Sequence, residues 1–186
     1  IAGVDEVQVT SEMRSRAKAI NFGVIYGMGA RALSRQIKVK VKEASAFIET
    51  YFETYPGVRT FIDSTKEKAH RDGWVETLLG RRRLLPEIDS DNNRVRSFQE
   101  RVAVNTPIQG SAADIAKLAM VNFARVADPK TQRLVTMVHD EILCTATEGI
   151  QAELCAKVLQ HKMENAAVLL GYKVPVLAEP SIGKTW

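Results

Sequence analysis

The sequence has little of what marks disulfide-rich, secreted or membrane proteins. Only two of its 186 residues are cysteines, Cys144 and Cys155, and their spacing matches no metal-ligand pattern. Two cysteines do not make a disulfide framework, so a reduced, cytosol-like compartment is expected. No apolar run has the length of a membrane span, and the N-terminus lacks a basic-then-apolar secretion signal. No internal repeat or low-complexity linker interrupts the chain.

Length and charge narrow the class of protein. The length suits one domain or two small lobes that can bury a core. Lys and Arg number 26 against 22 Asp and Glu, which gives a net charge of +4 and a pI near 9.1. This mild basic excess is compatible with a nucleic-acid partner. The first residue is Ile1 and not Met, so we expect that the chain begins inside a longer protein.

The stretch MRSRAKAINFGVIYGMG, residues 13–29, carries four functional side chains at regular spacing. Read as a helix over about residues 12–27, it puts these four side chains at successive four-residue steps on one face, the ladder: Arg14, Lys18, Phe22 and Tyr26. The ladder is roughly 18 Å long at 1.5 Å per residue. Two cations followed by two aromatic rings suit a nucleoside triphosphate. Spacing alone leaves open an amphipathic helix with solvated cations and core aromatics.

The segment RLVTMVHDEILCTAT, residues 133–147, carries three polar groups between two apolar arms. The pattern predicts a β-hairpin with His139, Asp140 and Glu141 at its tip. Adjacent carboxylates at a rigid turn suit a hard cation such as Mg²⁺, which prefers oxygen ligands. The alternative from these residues alone is a solvent-exposed acidic turn.

The rest of the pattern is mostly helical. We expect helices over about residues 30–37, 42–54, 58–71 and 148–170, and a long one from Arg94 with a kink or joint at Thr106-Pro107. Strands are expected on both sides of Gly80, within residues 74–85, and over residues 174–182, where a strand would join the hairpin. The predicted fold class is therefore α+β, mostly helical, with a small antiparallel sheet whose hairpin turn carries the carboxylates.

Further polar residues suggest contacts with nucleic acid. Arg101, Asn105 and Gln109 follow one another at four-residue steps on the long helix, where they are able to track a duplex or form an ordinary polar face. Three consecutive arginines, residues 81–83, lie near the turn of the predicted strand pair. They form either a solvated turn or a phosphate contact.

Several of these segments together resemble the family A, or DNA polymerase I type, DNA polymerases. Motif B of that family is matched by Arg14, Lys18, Asn21-Phe22-Gly23 and Tyr26-Gly27. The string ERVAVNTPIQGSAAD is similar to the family's primer-template groove segment, and VHDE is similar to motif C. WVETLLGRRRLLP matches most of the family string GYVETL-GRRR-P, and AEPSIGKTW is like the family's C-terminus. The resemblance covers nearly the whole chain, in order.

The resemblance implies an architecture and an activity. A fingers portion would cover residues 1–72, and a palm portion with the groove helices and the VHDE hairpin would cover residues 73–186. The activity would be template-dependent transfer of a nucleotide from a dNTP to a primer 3′-OH, with two Mg²⁺ ions. The partners would be primer-template DNA, dNTPs and the upstream part of the same polymerase, with no membrane. The location would be the cytoplasm and nucleoid of a bacterium or a phage host, or an organelle.

The resemblance also implies a role for each matched residue. The catalytic residues would be Asp140 and Glu141, which are also the metal ligands, and Lys18, which would protonate the departing pyrophosphate. The nucleotide-binding residues would be Arg14, Lys18, Phe22 and Tyr26. The DNA-binding residues would be Asn21, Gly23, Tyr26, Arg101, Asn105, Gln109 and His139.

One departure from the family pattern leaves two hypotheses about the activity of this chain. The family needs a second metal-binding aspartate in motif A, a DYSQIELR-like string upstream of motif B, and this sequence contains no such string. One hypothesis is a DNA polymerase segment that is inactive alone and active in the complete protein. The other is a non-catalytic nucleic-acid-binding or structural fragment of a split or decayed polymerase.

Overall fold

The computed structural model describes residues 8–185, and its secondary structure is mainly helical. In chain order the elements are α1 (Ser11–Ile25), α2 (Ala30–Ile37), α3 (Val41–Thr54), α4 (Pro56–Asp72), β1 (Trp74–Glu76), β2 (Arg82–Leu84), α5 (Asn93–Ala124), β3 (Gln132–Val138), β4 (Glu141–Ala146) and α6 (Ile150–Leu169). The strands form two two-stranded sheets, β1–β2 and β3–β4. The predicted α+β class is confirmed. Within the described range, no helix combines the length and apolar character needed to cross a bilayer.

The chain forms two compact units. Of the described residues, the first unit contains 8–75 and 82–107, and the second contains 76–81 and 108–185. Helix α5 contributes its first part to one unit and its second part to the other. The division into fingers and palm portions at residue 72 stays a prediction.

The core of the first unit fixes which side of α1 is exposed. Helices α1, α2 and α3 pack around Ile20, Val24, Leu33 and Tyr51, all buried. Ile20 and Val24 each lie two residues after a ladder position, and two residues of an α-helix turn through about 200°. Burial of Ile20 and Val24 therefore turns the ladder away from the core.

A capping hydrogen bond sets the start of α1. The Thr10 side chain accepts a hydrogen bond from the Met13 backbone N–H at 3.2 Å. Glu12 follows in the first turn, where a carboxylate interacts favourably with the helix dipole. The cap thus fixes the first residue of α1 and, with it, the position of each ladder residue along the helix.

A second cluster in the first unit joins α4, the β1–β2 pair and the first part of α5. Its buried members are Ala69, Val75, Leu85, Ile88 and Ala103. At its edge, Lys66 bonds Glu100 at 2.9 Å, and His70 bonds Asp89 at 2.6 Å. Burial alone would raise the pKa of Glu100, but the hydrogen bonds from Lys66 and His70 outweigh it, and the pKa is lowered.

The second unit is built on the β3–β4 hairpin and α6. Ile115 and Ala119 of α5 and Ala166 and Ala167 of α6 form its buried cluster, against which Ile142 of β4 packs.

The Thr77–Arg81 turn is held to α5 by side chains. Asp114 accepts hydrogen bonds from the Thr77 hydroxyl and from Arg81 Nε, and Ser111 accepts one from the Leu78 backbone N–H.

Of the two alternatives expected at Thr106-Pro107, a kink or a joint, the joint is absent, because α5 runs through Pro107 as one helix and the Thr106 hydroxyl bonds the Val102 carbonyl within it at 2.7 Å. One predicted strand is wrong. Residues 174–182 form no strand. Side chains of α6, and not a neighbouring strand, bond the backbone there. Gln160 donates to the Ala178 carbonyl, and Glu164 accepts from the Ala178 N–H.

We expect Asp114→Ala to lower the free energy of unfolding by about 2–4 kcal/mol, because it leaves the buried Thr77 hydroxyl without its acceptor. Asp63→Ala is the matched control. It removes an exposed Asp–Arg pair on α4 and should cost about 0.5 kcal/mol or less. Urea unfolding followed by circular dichroism measures both, and equal losses would contradict the role of Asp114.

Candidate functional site

The ladder predicted from the sequence lies on the solvent side of α1. Arg14 and Lys18 are exposed, and within residues 8–185 neither side chain has an ion-pair or hydrogen-bond partner. Arg16, off the ladder, is bonded instead to Glu12 at 2.9 Å. The ladder cations are thus the ones that the neighbouring carboxylate does not neutralise, which leaves them available to an anion.

The aromatic end of the ladder borders two open cavities. The Phe22 and Tyr26 rings are stacked, with centroids 6.2 Å apart and planes 15° apart, and Phe22 is 51% exposed. A cavity of about 570 Å³ is lined in part by Lys18 and Phe22, and one of about 390 Å³ in part by Phe22, Tyr26 and Arg101. These volumes are within the range of small-molecule sites, roughly 300–1,000 Å³.

The end of α1 brings Arg101 to the ladder. Gly27 follows the helix with φ of 73°, a left-handed conformation that favours glycine. The Met28 N–H bonds the Gly23 carbonyl at 2.7 Å and closes the helix end. A Cβ at Gly27 would lie 3.3 Å from Cγ of Arg101. The glycine therefore permits both the turn and the close approach of Arg101.

The polar residues predicted on the long helix are all on α5. Arg101 and Gln109 are exposed. The Asn105 Oδ1 atom is buried and lacks a hydrogen-bond partner, and among the described residues no other buried side-chain polar atom does. Such an atom is costly, so Asn105 is able to accept a hydrogen bond from a ligand.

The hairpin tip has the geometry that the sequence predicts. Val138 pairs with Glu141, which leaves His139 and Asp140 as a two-residue turn. His139 has φ of 55°, as short hairpin turns require. The paired strands contain an irregularity at Val135, between Leu134 and Thr136. The hairpin thus holds the three polar residues at one end.

The carboxylates at the tip match the donor chemistry of a hard cation. Asp140 and Glu141 are exposed, and in the described part of the chain neither carboxylate has an ion-pair or hydrogen-bond partner. Mg²⁺ is commonly held by one or two carboxylates together with water and substrate phosphates. No cluster of three or more His, Cys, Asp or Glu arranged for a metal occurs between residues 8 and 185. The pair suits a metal that shares its remaining ligands with a substrate or another segment.

The two cysteines are not part of the site. Burial raises the pKa of the Cys144 thiol to about 12, and burial also raises the pKa of Cys155. Both thiols are free. Because the thiolate is the reactive form, these side chains are inert at neutral pH.

Comparison with known proteins identifies the family. The sequence model described as DNA polymerase family A matches residues 1–186. The chain belongs to DNA polymerase family A. It is 45% identical to DNA polymerase I of Bacillus caldotenax over 185 residues, 98% of this chain and 21% of the relative. It is 42% identical to the thermostable DNA polymerase I of Thermus aquaticus over 184 residues, 99% of this chain and 22% of the relative.

A solved structure shares the fold of most of this chain. It is the POL domain of Pol1 from M. smegmatis in complex with DNA primer-template and dNTP, with a TM-score of 0.81 and 43% identity. The match covers 88% of this chain and 29% of that one. This chain therefore spans about a fifth of the length of the curated relatives and under a third of the solved domain.

Some residues that shape the site were missed by reasoning from the sequence. The Tyr51 hydroxyl bonds the Asn21 side chain at 2.8 Å, although the helical pattern of residues 42–54 gives Tyr51 no polar role. The hydrogen bond between Thr77 and Asp114 was likewise not predictable, because the sequence shows each only as a polar residue among apolar ones. Each acts through a partner distant in sequence, and periodicity does not report such pairs.

Gly27→Ala should lower the free energy of unfolding by about 1–2 kcal/mol, because the alanine would adopt a left-handed conformation beside Arg101. Gly57→Ala is the control. Gly57 lies within α4 with nothing within 4 Å of the added Cβ, so that change should be neutral or stabilising. Thermal unfolding measures both variants. An unchanged Gly27→Ala protein would contradict the constraint at the end of α1.

Proposed function

We propose that this chain supplies the dNTP-binding helix and the motif C carboxylates of a DNA-directed DNA polymerase. The reaction is attack of the primer 3′-OH on the α-phosphate of a dNTP, with release of pyrophosphate. The observation that carries the proposal is the outward ladder of unpaired cations and stacked rings on a family A chain. The relative solved with DNA primer-template and dNTP supports the same substrates.

In this proposal the ladder binds the incoming nucleotide along its length. Arg14 and Lys18 hold the triphosphate by charge-assisted hydrogen bonds, which are stronger than neutral ones. Lys18 also gives a proton to the departing pyrophosphate. Phe22 packs against the sugar, and Tyr26 occupies the position of the templating base until that base enters. The exposure of Phe22 fits a ring that is covered only by its ligand.

The hairpin tip is the proposed metal end of the reaction. Asp140 and Glu141 would hold Mg²⁺, and His139 would contact the primer end. Two such ions, when bound, stabilise negative charge on the attacking and leaving oxygens. The second aspartate would come from motif A in the upstream part of the polymerase. Asp140 and Glu141 are the metal ligands that this chain would contribute.

The remaining polar residues are the proposed DNA contacts. On α1 these are Asn21, Gly23 and Tyr26, and on α5 Arg101, Asn105 and Gln109 would follow the primer-template groove. The unpartnered oxygen of Asn105 supports that role. The fingers portion then covers residues 1–72 and the palm portion 73–186. The bacterial source of the named relatives supports action at the nucleoid.

Among residues 8–185, Asp140 and Glu141 belong to no group of three or more His, Cys, Asp or Glu arranged for a metal, which favours a second candidate function. With one carboxylate pair, the chain alone would bind metal weakly and position neither oxygen for in-line transfer. The second candidate is a non-catalytic nucleic-acid-binding or structural fragment. It predicts DNA binding without nucleotide transfer in any context.

Primer extension separates the two functions. The chain alone should not extend a primer with Mg²⁺ and dNTPs. A complete polymerase, made by joining the chain to the upstream part of the 45% identical Bacillus caldotenax enzyme, should extend it. Asp140→Ala should reduce that activity by about 10³-fold or more, since a metal ligand is lost.

Glu148→Ala is the matched control for Asp140→Ala, because it removes an exposed carboxylate just after the other end of the hairpin. It should leave extension unchanged. Extension by the chain alone would overturn the role given to the upstream aspartate. An inactive complete polymerase that still binds DNA would favour the non-catalytic function.

The residue at position 22 gives a separate test of the ladder. If Phe22 packs against the sugar, the complete polymerase should use dideoxynucleotides poorly, and Phe22→Tyr should improve their use by about tenfold or more. The added hydroxyl supplies a polar contact where the dideoxy sugar lacks one, and a good hydrogen bond is worth roughly 1.4 kcal/mol. Competition between a dideoxynucleotide and its dNTP measures the ratio. Continued rejection by Phe22→Tyr would contradict the assignment.

A further inference from the structure

A buried tyrosine of α3 holds a polar residue of the ladder helix. The Tyr51 hydroxyl donates a hydrogen bond of 2.8 Å to Asn21 Oδ1, although Tyr51 is only 4% exposed and Asn21 is exposed. The Tyr51 ring is fixed between two others, edge-on to Phe52 at 5.8 Å and tilted to Tyr55 at 5.1 Å. Burial, and secondarily Tyr55, raise the pKa of Tyr51, so the hydroxyl keeps its proton and remains a donor.

In this contact the Asn21 amide faces Tyr51 with its oxygen. An asparagine side chain has one acceptor oxygen and one NH₂ group with two donors. Because Tyr51 occupies the oxygen, the NH₂ group is left for other partners. Without the hydroxyl, the amide is able to rotate by half a turn and exchange donor for acceptor.

The position of Asn21 on α1 indicates what the NH₂ group meets. Asn21 lies three residues after Lys18, and residues three apart are neighbours on a helix surface. It also directly precedes Phe22. A donor at this place lies beside the cationic part of the ladder, where a phosphate oxygen is the acceptor expected.

We propose that Tyr51 is a positioning residue that orients Asn21 to donate a hydrogen bond to a phosphate oxygen bound beside Lys18. The inference rests on the proposed function, because the phosphate is that of a bound dNTP or of the DNA backbone. Tyr51 itself touches neither substrate. Its effect passes entirely through the Asn21 amide.

Steady-state kinetics of the complete polymerase, assembled as above, tests the pair. Tyr51→Phe removes one oxygen from a buried side chain and keeps the ring. It should raise KM for dNTP by about three- to tenfold, the range of one hydrogen bond, and leave kcat within about twofold. Asn21→Ala should have the same effect. The double variant should be no worse than Asn21→Ala alone, because both changes remove one interaction.

Tyr55→Phe is the matched control, since it makes the same chemical change on a neighbouring tyrosine that is half exposed. It should leave KM at the parent value. The dissociation constant for primer-template identifies the source of the phosphate. A rise in that constant in place of KM, shared by Tyr51→Phe and Asn21→Ala, supports the positioning role with the DNA backbone as acceptor. Unchanged values for both substrates in Tyr51→Phe, or effects that multiply in the double variant, would overturn it.

A second readout does not require an active polymerase. In the 186-residue chain, the Asn21 side-chain NH₂ signals in a ¹H–¹⁵N spectrum should move on addition of dATP and stay in place in Tyr51→Phe. Equal movement in both proteins would overturn the inference. Failure of primer extension together with the expected spectra would count against the proposed function and not against the Tyr51–Asn21 pair.

Discussion

The burial of one side of α1 is the constraint on which the candidate site depends. Ile20 and Val24 enter the core formed with α2 and α3, and the residues two positions away are thereby turned outward. Burying a large aliphatic side chain contributes about 1.5–3 kcal/mol, more than an exposed cation or ring gains on the surface. The core therefore sets the direction of the ladder, and the ladder need not stabilise the fold. Because the core does not need the side chains of Lys18 and Phe22, these two are available for binding a ligand.

In the hairpin, too, the residues that pack in the core are different from the polar residues of the candidate site. Ile142 packs against α5 and α6, whereas Asp140 and Glu141 stay exposed beyond the paired strands. The left-handed backbone of His139 is a small local cost at the turn, of the kind that short hairpins impose. In both parts of the chain, apolar packing fixes a backbone and the polar groups project from it. The two compact units each carry one such arrangement.

The sequence predicted the parts of the structure that depend on local pattern. The helix period placed α1 and α2 well, and the two apolar arms predicted the β3–β4 hairpin. The predicted strand that is absent shows the effect of residues distant in sequence. Residues 174–182 have the pattern of a strand, but the side chains of Gln160 and Glu164 bond their backbone, and no neighbouring strand pairs with it. Pro107 predicts a kink or a joint, and α5 continues through it as one helix.

The residues of the candidate site also differ in whether the sequence predicted them. The ladder and the VHDE tip are continuous strings, so motif and spacing were enough to find them. The Tyr51–Asn21 bond joins residues 30 apart, and the Thr77–Asp114 bond joins residues 37 apart. Such pairs arise from packing between elements and leave no periodic trace. Side-chain partners therefore required the structure, whereas the candidate binding residues did not.

The most direct test of the central claim is calorimetric titration of the chain with dATP and Mg²⁺, because it asks whether the outward ladder binds the nucleotide. Loss of Arg14 and Lys18 together, by Arg14→Ala with Lys18→Ala, should abolish the binding heat. Arg16→Ala removes a cation of the same helix that is already bonded to Glu12, and it should leave binding intact. Equal losses from ladder and off-ladder cations would show that charge alone attracts the nucleotide, and would contradict this account.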